Sequence, residues 1–416
     1  MEQLEITLKV ARPKALATMI RLTRDFDLAE EAVQESLVRA LPHWRQHGIP
    51  DNAVAWLVQT ARHYVHDRQR HQRMVERHHH ALQQTQLGAD ATTNPEQHDH
   101  AHLSDDMLRL IFTCFHPALA PEAQIALTLK TIAGLDSIAI ARAFLLTPKT
   151  LDQRVTRAKR RIRDCGIAYQ VPDTRELPER LDAVLRVIYL IYNQSYTVAS
   201  GPDLLDVPLG ETAIALTRLL CRLLPGHTEP LALLALLLMQ HARADARTDA
   251  DGLPIPLEQQ DRRLWQRALI NEGKVLIEKC FRQQPQAGPY LLQAAIAAIH
   301  NRAATPEDTD WPQIVQLYTL LEQRTDNPVI TLNRAIALAR ADGPNAGLAL
   351  LNTLADHPAM QRFQYFHTSK AALLEENGNP AEALQTWEYA LTLCQNQAEQ
   401  RYICKRIDLL QARTSQ

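Results

Sequence analysis

The residues best placed to act on another molecule lie at 147–163, Thr-Pro-Lys-Thr-Leu-Asp-Gln-Arg-Val-Thr-Arg-Ala-Lys-Arg-Arg-Ile-Arg. Thr147 suits a helix N-cap and Pro148 the first helical position, where a missing N–H costs nothing. Leu151, Val155, Ala158 and Ile162 recur at helical spacing and form one apolar stripe. The opposite side carries Thr150, Gln153, Arg154 and Arg157, followed by Lys159, Arg160, Arg161 and Arg163. One face is suited to a protein core and the other to a polyanion. Thr, Gln and Arg near the start of such a helix can reach base edges, while the later cations suit phosphates. The chain has no Gly-rich phosphate loop and no nucleophile–base arrangement, so no enzyme and no cofactor is expected.

The segment before this helix must position it. Ile138, Ala139, Ala141, Arg142, Ala143 and Phe144 read as a compact helix, and Leu145-Leu146-Thr147-Pro148 as a short turn. That is the helix-turn-helix layout, whose second helix enters the DNA major groove. The net charge of −2 makes any nucleic-acid surface local. Aromatics make up only 5% of the 416 residues, glycine is sparse and no long stretch alternates with period two, which predicts an all-α, multidomain protein. The apolar run 231–239 is too short to span a bilayer, and Lys9, Arg12 and Lys14 interrupt the first apolar residues, so neither a membrane segment nor a signal peptide is expected. The six cysteines show no CxxC pairing and read as core thiols of a cytoplasmic protein.

Composition divides the chain into a helical first part at 1–70, a polar flexible linker at 71–104, a second helical unit at 105–165, a helical extension at 166–285 and repeats at 286–416. The linker holds His71, His78, His79, His80, His98, His100 and His102. Imidazoles at 78–80 could chelate a transition ion, but no acidic or thiol ligand stands at a fixed spacing, so a solvated linker without metal is expected.

In the first part, 27–35 opens an amphipathic helix with Leu28, Ala32, Val33 and Leu37 inward and Asp27, Glu30, Glu31, Gln34 and Glu35 outward. An acidic face beside a DNA reader serves a basic protein partner better than DNA. Residues 55–70 change from apolar to basic, with Trp56, Tyr64 and several imidazoles among arginines, a mixture suited to unstacked bases.

Taken together and in this order, 27–35, 55–70 and 133–163 resemble the bacterial RNA polymerase sigma factors of the extracytoplasmic-function class. The resemblance implies core polymerase binding by Asp27, Glu30, Glu31, Gln34 and Glu35. It implies minus-ten contacts by Arg62, His63, His66, Asp67, Arg68 and Arg70, with a flipped base held near His63 and Asp67. An Asn is common in the family at the position of His63. Minus-thirty-five contacts would come from Thr150, Gln153, Arg154, Arg157, Lys159, Arg160 and Arg161. The segments 177–185, 188–196, 249–252, 258–265 and 268–273 are similar to the subgroup with a large C-terminal extension ending in tetratricopeptide-like repeats, although the usual Asn-Glu-Gly-Tyr reads Asn193-Gln194-Ser195-Tyr196.

Within that extension, Asp251, Gln260, Asp261, Arg262 and Trp265 are candidates for an interdomain or regulatory contact, against the alternative of a capped helix start with a local Asp–Arg network. Helical stretches at 289–300, 312–323, 328–339, 346–354, 371–374 and 381–391, punctuated by Gly343, Pro344 and Gly378, read as stacked hairpins. The expectation is a sigma factor controlled in cis by its extension, whose partners are core RNA polymerase, promoter DNA and a protein or small-molecule ligand of the repeats. A helix-turn-helix repressor or activator with a sensing repeat domain is the alternative.

Overall fold

A computed structural model describes residues 2–80, 100–144, 146–198, 201–283 and 286–414, and the chain forms two compact units that divide near Val187. Every regular element among the described residues is helical, and the only sheet-like pairings there are two isolated bridges. The all-α expectation is met.

The first unit begins with α1 (Glu2–Thr23), α2 (Phe26–His47) and α3 (Ala53–His80). Asp25 caps α2, accepting from the backbone N–H groups of Asp27 (2.8 Å) and Leu28 (3.0 Å), and Gly48 ends the helix at φ 86°, where a side chain would be strained. The three helices bury Leu16, Ile20, Val33, Leu57 and Val58 against alanines. Each large side chain contributes about 1.5–3 kcal/mol on leaving water. There follow α4 (His100–Cys114), α5 (Pro121–Thr131), α6 (Ser137–Ala143) and α7 (Pro148–Asp164). Helix α4 packs on α1, and α5 on α7. Asp106, 2% exposed, is held by Arg21 at 2.8 Å. The Tyr169 hydroxyl donates to the Ala17 carbonyl at 2.9 Å, and Arg180 to that of Phe112 at 2.6 Å. Helix α8 (Leu177–Tyr196) therefore starts on the first unit, and the compact division falls inside this helix rather than at the expected 165/166 boundary.

Helices α3 and α4 run into both ends of the segment expected as a linker, because helical hydrogen bonding tolerates polar sequence once a packed neighbour nucleates it. Residues 81–99, with His98, lie outside the described residues, as do the side chains of His78, His79, His80, His100 and His102. Cysteine placement also corrects the sequence reading. Cys114, Cys280 and Cys394 are buried, but Cys165 and Cys404 are exposed.

The second unit contains α9 (Val207–Leu223), α10 (Thr228–His241), α11 (Arg267–Gln283), α12 (Pro289–Arg302), α13 (Trp311–Glu322), α14 (Pro328–Asp342), α15 (Pro344–Asn352), α16 (Pro358–Gln361), α17 (Gln364–Glu376), α18 (Pro380–Leu393) and α19 (Gln397–Thr414). Residues 230–239 of α10 are buried on every side, because α9, α11 and α12 surround it. Consecutive helices then pair as hairpins, α14 with α15 and α17 with α18, and α15 packs on α17. The α14–α15 crossing is close. A Cβ on Gly347 would stand 2.6 Å from the Ala339 Cβ and 2.7 Å from the Ala335 carbonyl oxygen.

Candidate functional site

The basic helix α7 is built as its sequence dictates. The Thr147 side chain accepts from the Thr150 N–H at 3.1 Å, Pro148 sits in the first turn, and Leu151, Val155, Ala158 and Ile162 are buried. Gln153, Arg157, Arg160 and Arg161 are exposed, and Thr150 and Arg154 are half-buried. Lys159 behaves differently. Its side chain is 12% exposed, and its ammonium lies 3.0 Å from Asp27 Oδ1 and 2.7 Å from Glu30 Oε2. Burial opposes its charge, but Glu30 and Asp27 outweigh that and hold the Lys159 pKa above its ordinary value. One cation expected at phosphates is thus occupied by the acidic face of α2.

That face is shared a second time. Glu31 accepts from the Tyr64 hydroxyl at 2.6 Å and pairs with Arg68 of α3. Asp27, Glu31 and Gln34 are exposed, while Glu30 and Glu35 are half-buried, Glu35 holding Arg39 at 3.0 Å. On α3, His63, His66, Asp67 and Arg70 are exposed, and Arg62 and Arg68 are half-buried. Trp56 stacks on His43 at 5.4 Å and meets Trp44 edge-on at 5.4 Å, so it is packed with α2. An open cleft of about 660 Å³ runs between the end of α1, the start of α2, α4 and α7, bordered by Arg21, Arg24, Asp27, Arg109, Lys159 and Arg163.

In the second unit, Asp261 and Arg263 form a local network. Asp261 accepts from the Arg263 backbone N–H at 2.9 Å and from its guanidinium at 2.7–3.1 Å. This contact holds the Asp261 carboxyl down to about 2. It is the local alternative foreseen for this cluster. Gln260, Arg262 and Trp265 turn inward and are 9%, 8% and 2% exposed. Arg262 donates to the carbonyls of His300 (2.9 Å) and Ala303 (2.5 Å), and Trp265 packs with Ala242, Ala246 and Ile270. Asp251 closes a turn, its N–H donating to Asp249 at 3.0 Å. These contacts all lie within the second unit. Gln260 donates to the Ile255 carbonyl at 3.1 Å, so of the three only Arg262 reaches the end of α12.

Among the described residues, no three His, Cys, Asp or Glu side chains gather as a metal site, and no helix is long and apolar enough to cross a membrane.

Residues 10–74 match the family described as Sigma-70 region 2, and residues 180–281 match a family of unknown function, DUF6596. An uncharacterized protein of Rhizobium meliloti (strain 1021) is 42% identical over 413 residues, covering 98% of this chain and 96% of the relative. The chain belongs to the family of that protein. The crystal structure of yeast Tom70 aligns over 99% of the chain and 85% of its own length, at 13% identity and a TM-score of 0.38, too loose a likeness for any conclusion.

In this family member the region 2 match spans most of α1–α3 and includes the acidic face and the basic stretch of α3. It points to a transcription factor with a sigma-factor-like role in promoter recognition. The family of unknown function covers α9, α10, α11 and the inward-turned Arg262 and Trp265. Sequence reasoning passed over Arg243 and Arg247 in that range and saw no role for Tyr196 beside them. Arg243, Arg247 and Tyr196 come together, with the Arg247 guanidinium 3.4 Å from the centre of the Tyr196 ring and Arg243 3.3 Å from its hydroxyl. The available signal was the four-residue spacing of Arg243 and Arg247 directly after the apolar run of α10.

Proposed function

We propose that the protein is a sigma factor that brings core RNA polymerase to specific promoters, in the cytoplasm where that enzyme works, and that its C-terminal extension regulates it in cis. The match of residues 10–74 to Sigma-70 region 2 carries this reading. The capped, amphipathic α7 supports a second DNA contact, since its polar face is exposed at Gln153, Arg157, Arg160 and Arg161. In this reading α2 binds polymerase through Asp27, Glu30, Glu31, Gln34 and Glu35. Helix α3 takes melted minus-ten DNA through Arg62, His63, His66, Asp67, Arg68 and Arg70. Helix α7 reads the minus-thirty-five element through Thr150, Gln153, Arg154 and Arg157, with Lys159, Arg160 and Arg161 on phosphates. Strand opening draws on the binding of unpaired bases, so no covalent step is required.

The deciding experiment is transcription from purified components. Core polymerase with this protein should initiate at defined promoters, and the reading fails if it initiates at none that core polymerase alone ignores. Within the same assay, Arg154→Ala or Arg157→Ala should weaken promoter binding by about 1–3 kcal/mol and relax the choice of base at one position. Arg161→Ala should weaken binding evenly across sequences. Unchanged binding after all three substitutions removes α7 as the reader.

Control by the extension is tested by ending the chain after Val187, which retains the whole first unit. This chain is expected to transcribe at a level different from full length. Equal activity in vitro and in cells makes the extension a passenger.

A further inference from the structure

The second unit buries guanidinium groups that no carboxylate reaches at ion-pair distance among the described residues. Arg243 and Arg262 are 7% and 8% exposed, and Arg247 is half-buried beside them. None of the three forms a salt bridge among the described residues, whereas Arg218, Arg263, Arg334, Arg340 and Arg406 of the same unit each hold a carboxylate. Their hydrogen-bond and ring partners are neutral, and Glu307 and Asp308 act on Arg262, and Glu399 on Arg247, only from beyond ion-pair distance. Arg247 donates to the Tyr196 carbonyl and lies over its ring, Arg243 reaches the Tyr196 hydroxyl, and Arg262 holds two backbone carbonyls and faces Trp265 at 4.8 Å. A guanidinium cannot shed its proton at any ordinary pH, so burial cannot be relieved by neutralisation. Removing it from water without a counter-charge is unfavourable.

The hydrogen-bond inventory has the same sign. The Nε groups of Arg243 and Arg262 and the indole N–H of Trp265 are buried donors with no acceptor among the described residues. The field they create is felt nearby. His300 is pushed down to about 3 by burial and by Arg243 and Arg262. Burial acts to raise the Tyr196 phenol, yet Arg243 and Arg247 outweigh it and hold its pKa below the usual value. A small cavity bordered by Tyr192, Ser195, Tyr196, Asp206 and His241 adjoins Arg247, with about 10 Å³ of free space, room for one water-sized atom.

We propose that Arg243, Arg247, Arg262 and Trp265 form a binding site for the oxyanion of a small molecule, a carboxylate or a phosphoryl group, which enters by displacing the Arg247–Tyr196 stack. The site is independent of the sigma-factor reading, since every group in it belongs to the second unit and the assay involves neither polymerase nor DNA.

The test titrates the full-length protein with inorganic phosphate and, separately, with citrate, against sodium chloride at matched ionic strength. The readouts are calorimetry and the indole N–H resonance of Trp265, assigned with Trp265→Phe. Saturable movement of that resonance with phosphate alone identifies a phosphoryl ligand, with citrate alone a carboxylate ligand, and with both the shared oxyanion chemistry. Arg243→Gln and Arg262→Gln should each weaken the calorimetric Kd at least tenfold, while the exposed Arg263→Gln leaves it unchanged. Both anions also stabilise folded proteins by exclusion from the surface, so a rise in Tm shared by all variants counts against the site. The proposal is overturned if neither anion moves the Trp265 resonance in the wild-type protein beyond chloride, a result that requires no variant to fold.

Discussion

Charge reversal of Glu31→Lys together with Glu35→Lys is expected to abolish association with core RNA polymerase while the first unit stays folded. Both side chains reach solvent, at 48% and 38% exposure, so neither lysine is forced into the core. The structural losses are small. The Glu31–Arg68 and Glu35–Arg39 pairs are surface contacts, each contributing about 1 kcal/mol or less. The effect on the interface is far larger, because an acidic surface that would meet basic groups becomes repulsive, and like charges across an interface cost several kcal/mol. Co-elution with core polymerase and a melting curve separate the two effects. Wild-type affinity in the folded double variant would place the polymerase contact elsewhere.

The second large effect concerns the hairpins. Gly347→Val should destabilise the second unit by about 3 kcal/mol, seen as a lower urea midpoint with unchanged helicity at zero denaturant. A Cβ at this position meets the Ala339 methyl at 2.6 Å, the Ala335 carbonyl oxygen at 2.7 Å and Leu373 Cδ1 at 3.1 Å. A flexible side chain can yield, but the Ala335 carbonyl is part of α14 itself. Valine adds two further methyl groups, so α14 and α15 must separate. A wild-type midpoint would show that the crossing has slack.

The sequence made some of this legible and left other parts hidden, for a physical reason. The cap, stripe and polar face of α7 depend on neighbours three or four residues away, and all three appear as read. The Asp261–Arg263 network spans two residues and was equally open to inference. Lys159 was not, since its partner Glu30 is 129 residues away, and a lysine in a basic run looks the same whether it meets water, phosphate or a carboxylate. Arg243 and Arg247 were overlooked for the converse reason. Cations following an apolar helix read as its solvated end, and only the fold shows Arg243 buried and Arg247 half-buried against Tyr196 of α8. The extent of α3 and α4 escaped because 71–80 and 100–104 carry no apolar periodicity of their own.

The Lys159 contact makes the cations of α7 thermodynamically unequal. A cation that moves from water to a DNA phosphate displaces about one condensed counterion, and such displacement drives much of the association. Arg160 and Arg161 are exposed, carry no ion pair among the described residues, and can each contribute a full displacement. Lys159 must first leave Asp27 and Glu30, which then recruit cations from the buffer in its place. What the duplex releases, the vacated carboxylates take back. If α7 binds DNA as proposed, that contact becomes an exchange of anions around a single ammonium, nearly neutral in ions, and a count of positive residues along the helix would overstate how strongly salt governs the hold on DNA.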